Sequence, residues 1–258
     1  MGSRWLLYIP AAGWNPPEMP DTRSSAKLRQ GRFRTNLLAN GGWFVFRVGV
    51  GIWLTPYLIR HLGVAAYGLV PLAMSLSSYM SVMTVALSGS IGRYVTIALA
   101  KGDSDEANRH FNTALFGSLG LAGALLPIAA AISFLAPSFI NVPSGEENGA
   151  RVLLLATMIA FLVTTVASAF AVASYASSRF DIRSSVDAAA LSLRVGLIVV
   201  LFRWLAPHLW HVGVAVLLGN ICFLAGHYWA WRRLTPELHV TRSSFDSTSL
   251  WALLSTGG

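Results

Sequence analysis

Residues 36–80 read NLLANGGWFVFRVGVGIWLTPYLIRHLGVAAYGLVPLAMSLSSYM, two helix-length apolar runs joined by a short polar turn. The first run carries Arg47 about ten residues inside a segment otherwise built of Trp, Phe, Val, Gly, Ile and Leu. An arginine at that depth costs about 2.5 to 3.5 kcal/mol on insertion scales, so its presence asks for a reason. Asn40, Arg47, Gly51 and Thr55 follow one another at spacings of seven, four and four, which places them on one side of a helix while the aromatics point elsewhere. That pattern predicts one flank that is wet or packed and another that meets hydrocarbon. At 1.5 Å per residue Arg47 lies roughly 15 Å from the 36 end, beyond comfortable snorkelling reach. A cavity-facing guanidinium is the preferred reading, against a structural anchor paired with a carbonyl.

The whole chain repeats this character. Of 258 residues, 54% are hydrophobic and only 12% charged, and the mean hydropathy is +0.57. Soluble proteins carry about 25% charged residues, so the composition specifies an integral membrane protein. The 19 basic residues against 11 acidic ones do not form one continuous patch but alternate with apolar runs, which argues for orientation in a bilayer and against nucleic acid. The single cysteine, Cys222, sits inside an apolar run, so there is no disulfide framework and no thiolate metal cluster. The first 25 residues hold Pro10, Pro16, Pro17 and Pro20 around the short apolar patch WLLYI, which is no cleavable signal peptide.

In order, the chain reads as follows. Residues 1–35 are a basic N-terminal tail on the cytoplasmic side, of which 1–18 fit nothing downstream and suggest an upstream start or added residues. Six spans follow, at about 36–59, 67–87 with a kinked continuation to 100, 112–136, 150–176, 184–205 and 212–231. Ser77, Ser81, Thr84 and Ser88 make a polar stripe on the second span; Thr157, Thr164 and Ser168 make another on the fourth. Asp103, Asp105 and Glu106 stand where the third helix would begin. Residues 233–258 form a loop and the start of a seventh helix, so 36–232 is the six-helix unit. With the N-terminus inside, fourteen Lys and Arg fall on the inner side and three, Arg60, Arg151 and Arg203, on the outer. That bias fixes a cytoplasmic N-terminus.

No nucleotide-binding, metalloprotease or nucleophile-elbow motif is present, and the six histidines show no ligand spacing. The expectation is therefore not an enzyme, with no cofactor and no metal. The intramembrane polar residues remain: Arg47, Arg194, Asn40 and Asn220 are the candidates for a substrate cavity. Asp187 lies seven residues before Arg194 on the same face and can neutralise it locally. Gly213, Asn220 and His227 align at sevens on the sixth span. The Ser and Thr stripes read first as packing, because hydroxyls bond back to their own helix. Arg93 reads as a residue of the cytoplasmic boundary.

Several of these segments carry a family resemblance. TPYLIRHLGVAAYGL after the first span, SLSSYM, and SGSIGRYVTIALAKGDSDEANRHFNTAL hold Pro56, Leu58, Leu62, Gly63, Tyr67, Gly68, Arg93 and Tyr94. With them the chain resembles the O-antigen-type oligosaccharide flippases, a branch of the multidrug/oligosaccharidyl-lipid/polysaccharide exporter superfamily. RFDI at 179–182 and LTPEL at 234–238 add weaker matches. The resemblance implies an all-α polytopic membrane protein forming one six-helix lobe of a two-lobe MATE-like transporter, plus the start of helix seven. It further implies a multi-pass protein of the bacterial inner membrane that moves polyprenyl-diphosphate-linked oligosaccharide for polysaccharide or lipopolysaccharide synthesis. The partners implied are the lipid-linked oligosaccharide, membrane lipids and a missing C-terminal lobe. A MATE-like multidrug exporter, and an inactive or structural fragment of a transporter, stand as alternatives.

Overall fold

The structure, a computed structural model, describes the backbone over residues 22–241 and the side chains over 36–81 and 94–241. Seven helices follow one another: α1 (Thr22–Leu62), α2 (Val64–Tyr67, a single turn), α3 (Leu69–Lys101), α4 (Ser104–Leu135), α5 (Glu147–Ala176), α6 (Phe180–Trp204) and α7 (Leu209–Leu234). A 3-10 turn, Ala136–Ser138, trails α4, and there is no strand among the described residues. Five stretches are long and apolar enough to cross a bilayer: Asn36–Leu62, Ser104–Ser138, Glu147–Ala176, Phe180–Trp204 and Leu209–Leu234. The remaining expected span falls on α3, a 33-residue helix whose side chains at 82–93 lie outside the described residues. Those include Thr84, Ser88 and Arg93. The loop and seventh helix expected at 233–258 fall largely outside them too, since the described chain ends at 241.

Helix boundaries follow local chemistry. Between α1 and α2 the chain passes Gly63 at φ 81, a left-handed backbone that glycine adopts without penalty. The α3–α4 turn is tighter. Gly102 at φ 77 closes α3, with its N–H bonded to Leu99 O and that of Asp103 to Ala98 O, the paired bonds of a Schellman motif. Asp103 then caps α4 by accepting from the Glu106 N–H at 2.9 Å. Two helices thus reverse direction within one residue pair.

α5 is the axis of the bundle. It packs against α3, α4 and α7; α7 packs in turn on α6, and α6 on α1. Lipid is as apolar as leucine, so association rests on close approach and on polar bonds between helices. Close approach is visible along α7. A Cβ on Gly213 would lie 2.8 Å from Leu153 Cα on α5, and one on Gly226 would lie 2.6 Å from Val186 Cγ1 on α6. The α1 glycines behave differently: at Gly41, Gly42, Gly49 and Gly51 a Cβ would meet nothing within 4 Å. The small residues of α1 are therefore open, and the seam is not packed through them.

One apolar cluster gathers Leu58 of α1 with Leu69, Leu153, Ile198, Phe202 and Val212, at the end of the bundle where α1 finishes. At the opposite end Phe111 stacks on Trp231 at 5.4 Å and meets Phe170 edge-on at 6.0 Å. Near α1's other end two polar bonds reach the α5–α6 turn and α6. Asn36 Nδ2 donates to Ser178 O at 3.2 Å, and Ser184 Oγ donates to Asn40 Oδ1 at 3.0 Å.

After α7 the chain runs extended beside α4. Asn108 donates to Glu237 O (3.2 Å) and accepts from the His239 N–H (2.7 Å). Asn112, fully buried, donates to His239 O and accepts from the Thr241 N–H, both at 2.8 Å. The match is geometric: four helical residues rise about 6 Å, close to two residues of extended chain.

Candidate functional site

A cavity of about 470 Å3 opens between α1, α5, α6 and α7. α6 supplies Arg183, Asp187, Ala190, Leu191 and Arg194, which share a face because their spacings are four, three, one and three. α1 adds Trp43 and Arg47 one turn apart, α5 adds Thr164, and α7 adds Gly219, Asn220 and Phe223. Gly219 lets α7 approach α6 at this level: a Cβ there would lie 3.0 Å from Arg194 Cβ and 3.1 Å from Ala190 O.

Three of the four cavity residues named from the sequence, Arg47, Arg194 and Asn220, are brought together here. Asn40 is not part of the lining, and its side-chain oxygen is taken by Ser184. Asn220 is held from two sides, donating to Val216 O at 2.9 Å while its Oδ1 receives Thr164 Oγ1 at 2.7 Å. The Thr164 hydroxyl also lies 2.9 Å from Ala160 O, so its one proton serves either acceptor. Of the other stripe hydroxyls, those of Ser77, Ser81, Thr157 and Ser168 bond back to their own helices. Six members of the lining, Trp43 and Arg183 among them, were not singled out from the sequence. Arg183 was legible in principle, four residues before Asp187 on the same face.

The carboxylate does not pair as the sequence spacing suggested. Asp187 Oδ2 lies 4.0 Å from Arg183 Nε, and Oδ1 lies 3.8 Å from His227 Nε2. Among the described residues no carboxylate is within ion-pair distance of Arg194 or Arg47. Arg183 also lies over the Tyr175 ring at 4.5 Å. His227 is completely buried, edge-on to Phe223 at 4.4 Å, and neither ring nitrogen has a hydrogen-bond partner. Three guanidiniums against one carboxylate leave the lining with two net positive charges. Guanidiniums pair with phosphate or carboxylate in a planar, bidentate fork, so the charge of this lining is complementary to an anion.

Against known proteins the chain has a relative of matching character. It is 30% identical over 205 residues to "Uncharacterized membrane protein EpsK" of Bacillus subtilis (strain 168). The match covers 80% of this chain and 41% of the relative, so the chain spans less than half of the relative's length. No family model matches the chain, and no solved structure matches it. Together with the five apolar helices, the likeness makes this an all-α, multi-pass membrane protein.

Proposed function

We propose that this six-helix unit belongs to a flippase, the polar wall of a pathway that carries a polyprenyl-diphosphate-linked oligosaccharide across the bacterial inner membrane. The observation that carries the reading is the charge of the cavity: Arg47, Arg183 and Arg194 face the same space as the single carboxylate Asp187. A diphosphate diester is a dianion that cannot cross about 30 Å of hydrocarbon unaided, and unpaired guanidiniums inside the bundle offset its desolvation. A drug exporter for cations would invert this charge, and here the one cavity carboxylate already stands between Arg183 and His227. The reading is therefore one of transport. The fourteen-to-three distribution of basic residues supports a cytoplasmic N-terminus. Alternating access further requires a second lobe against which this bundle rocks, a MATE-like arrangement.

The test is export of surface polysaccharide in cells that depend on the gene. Arg47→Glu abolishes it, while Arg47→Lys keeps part of it, because lysine retains the charge and loses the bidentate fork. Loss of a charge-assisted bond of about 1.5 to 3 kcal/mol corresponds to roughly ten- to a hundredfold weaker head-group binding. Export unchanged in Arg47→Glu at equal protein abundance returns Arg47 to the role of a structural anchor.

A further inference from the structure

Beside the charged cavity lies a second, smaller space of about 240 Å3 in the seam between α1 and α6, walled by Leu38, Ala39, Gly42, Trp43 and Phe46 on α1 and by residues from Asp181 to Ala188 on α6. Its polar groups are already engaged. Asp181 is held by Arg179, with Nε to Oδ1 and Nη2 to Oδ2 both at 3.0 Å. Ser184 donates to Asn40, and Ser185 donates to Asp181 O at 2.8 Å. What the groove offers an occupant is therefore hydrocarbon surface, contributed by Leu38, Ala39 and Phe46 and left open by the missing side chain of Gly42. The cavity offers the opposite, three guanidiniums against the one carboxylate of Asp187. Trp43 lines both spaces, its indole standing at the boundary between a polar and an apolar surface, where Trp is favoured.

We propose that the α1–α6 groove is the site for the hydrocarbon chain of the same amphiphile whose anionic head occupies the arginine cavity, with Trp43 as the divide between head and chain. The inference rests on the head-group reading above and adds where the lipid leaves the protein. The occupant follows from adjacency and chemistry: two spaces sharing one residue, one cationic and one apolar, fit one molecule with an anionic end and a greasy end. From Leu38 to Phe46 the groove runs about 12 Å along α1, so it holds the chain segment next to the head and leaves the remainder in the bilayer. α1 is suited to admit it, since its principal partner is α6 and its glycines there carry no packing.

The experiment uses the protein in nanodiscs, inorganic pyrophosphate as the head alone, and a short-chain isoprenyl diphosphate with a benzophenone at its tail. Pyrophosphate binding is followed by calorimetry and photolabelled peptides by mass spectrometry. The expected result is labelling of α1 within residues 36–46 and of α6 within 181–188, lost in the presence of excess pyrophosphate. Gly42→Leu fills the groove from a position with open space around its Cβ. It removes the label from both helices and leaves pyrophosphate binding unchanged. Gly49→Leu, equally open but not on the groove, retains the label. Groove labelling that pyrophosphate does not compete, or that survives Gly42→Leu, overturns the inference while the cavity reading stands. Absence of pyrophosphate binding overturns the cavity reading and the inference with it.

Discussion

The segment that follows α7 should come away from the bundle when Asn112 is shortened. Asn112→Ala removes two bonds to that segment, the donation to His239 O and the acceptance from the Thr241 N–H, both 2.8 Å. Asn112 is completely buried while His239 and Thr241 are exposed, so the bonds are shielded from water on the Asn112 side alone. A net contribution of about 1 kcal/mol for each gives roughly 2 kcal/mol, or about thirtyfold in the equilibrium between docked and released segment. Asn108 would keep its own pair, to Glu237 O and from the His239 N–H, and Leu238 stays inserted in the cluster of Phe111 and Trp231. The loss is therefore confined to the distal end. Hydrogen exchange of the protein in nanodiscs measures it: the Thr241 amide should lose about thirtyfold in protection, while the His239 amide loses less. Equal Thr241 exchange in the wild type and in Asn112→Ala would refute the reasoning, because docking would then rest on Leu238 and the α7 terminus.

The orientation is checked with single cysteines in a Cys222→Ser background. Ser144→Cys, exposed between α4 and α5, should label with an impermeant thiol reagent in intact cells, while Ser178→Cys, exposed between α5 and α6, should be shielded; the reverse pattern inverts the topology. Gly213→Ala forces α5 and α7 apart, because its Cβ would lie 2.8 Å from Leu153 Cα. It should cost about 1 to 3 kcal/mol and lower the melting midpoint by several degrees, whereas Gly51→Ala, with nothing within 4 Å, should not lower it. In a double-mutant cycle, Thr164→Val and Asn220→Leu should couple by about 0.6 kcal/mol, the average for hydrogen bonds between membrane helices. Additivity of the two would place the 2.7 Å contact among bonds that contribute nothing.

What the sequence made legible was what hydrocarbon demands. The apolar runs located the bodies of α4, α5, α6 and α7 to within a turn or two, because burial in a bilayer leaves no other composition. The starts were missed on the polar side. α1 begins at Thr22 and α6 at Phe180, both ahead of the first apolar residue used to place them, and their first turns carry no apolar signature. α4 begins at Ser104, ahead of the span placed at 112–136 but where Asp103, Asp105 and Glu106 pointed, with Asp103 capping Glu106. The error had a cost for the site. With α6 started at 184, Arg183 fell into a loop, and a cavity cation was counted as an orienting charge. The partners of Asp187 were beyond reach for a different reason, since His227 comes from another helix and only the α6–α7 approach at Gly219 and Gly226 brings it near.

The arrangement of glycines separates the rigid part of this bundle from the adjustable part. On α7, Gly213 lies against α5 and Gly226 against α6 so closely that a methyl group would collide, and Gly219 lies against α6 with a Cβ only 3.0 Å from Arg194 Cβ. Those contacts lock α5, α6 and α7 into one body and hold Arg183, Asp187, Arg194 and Asn220 at fixed spacing. α1 has the same residue in abundance with the opposite consequence, because nothing approaches its glycines and its principal partner is α6. Arg47 therefore rides on the helix with the fewest restraints, facing cations that ride on the helices with the most. Like charges held in that way repel until an anion or water intervenes. On the proposed head-group reading, an anion reaching all three guanidiniums would draw α1 toward the other helices, and the occupancy of the cavity and the width of the α1–α6 seam would be set by the same charges.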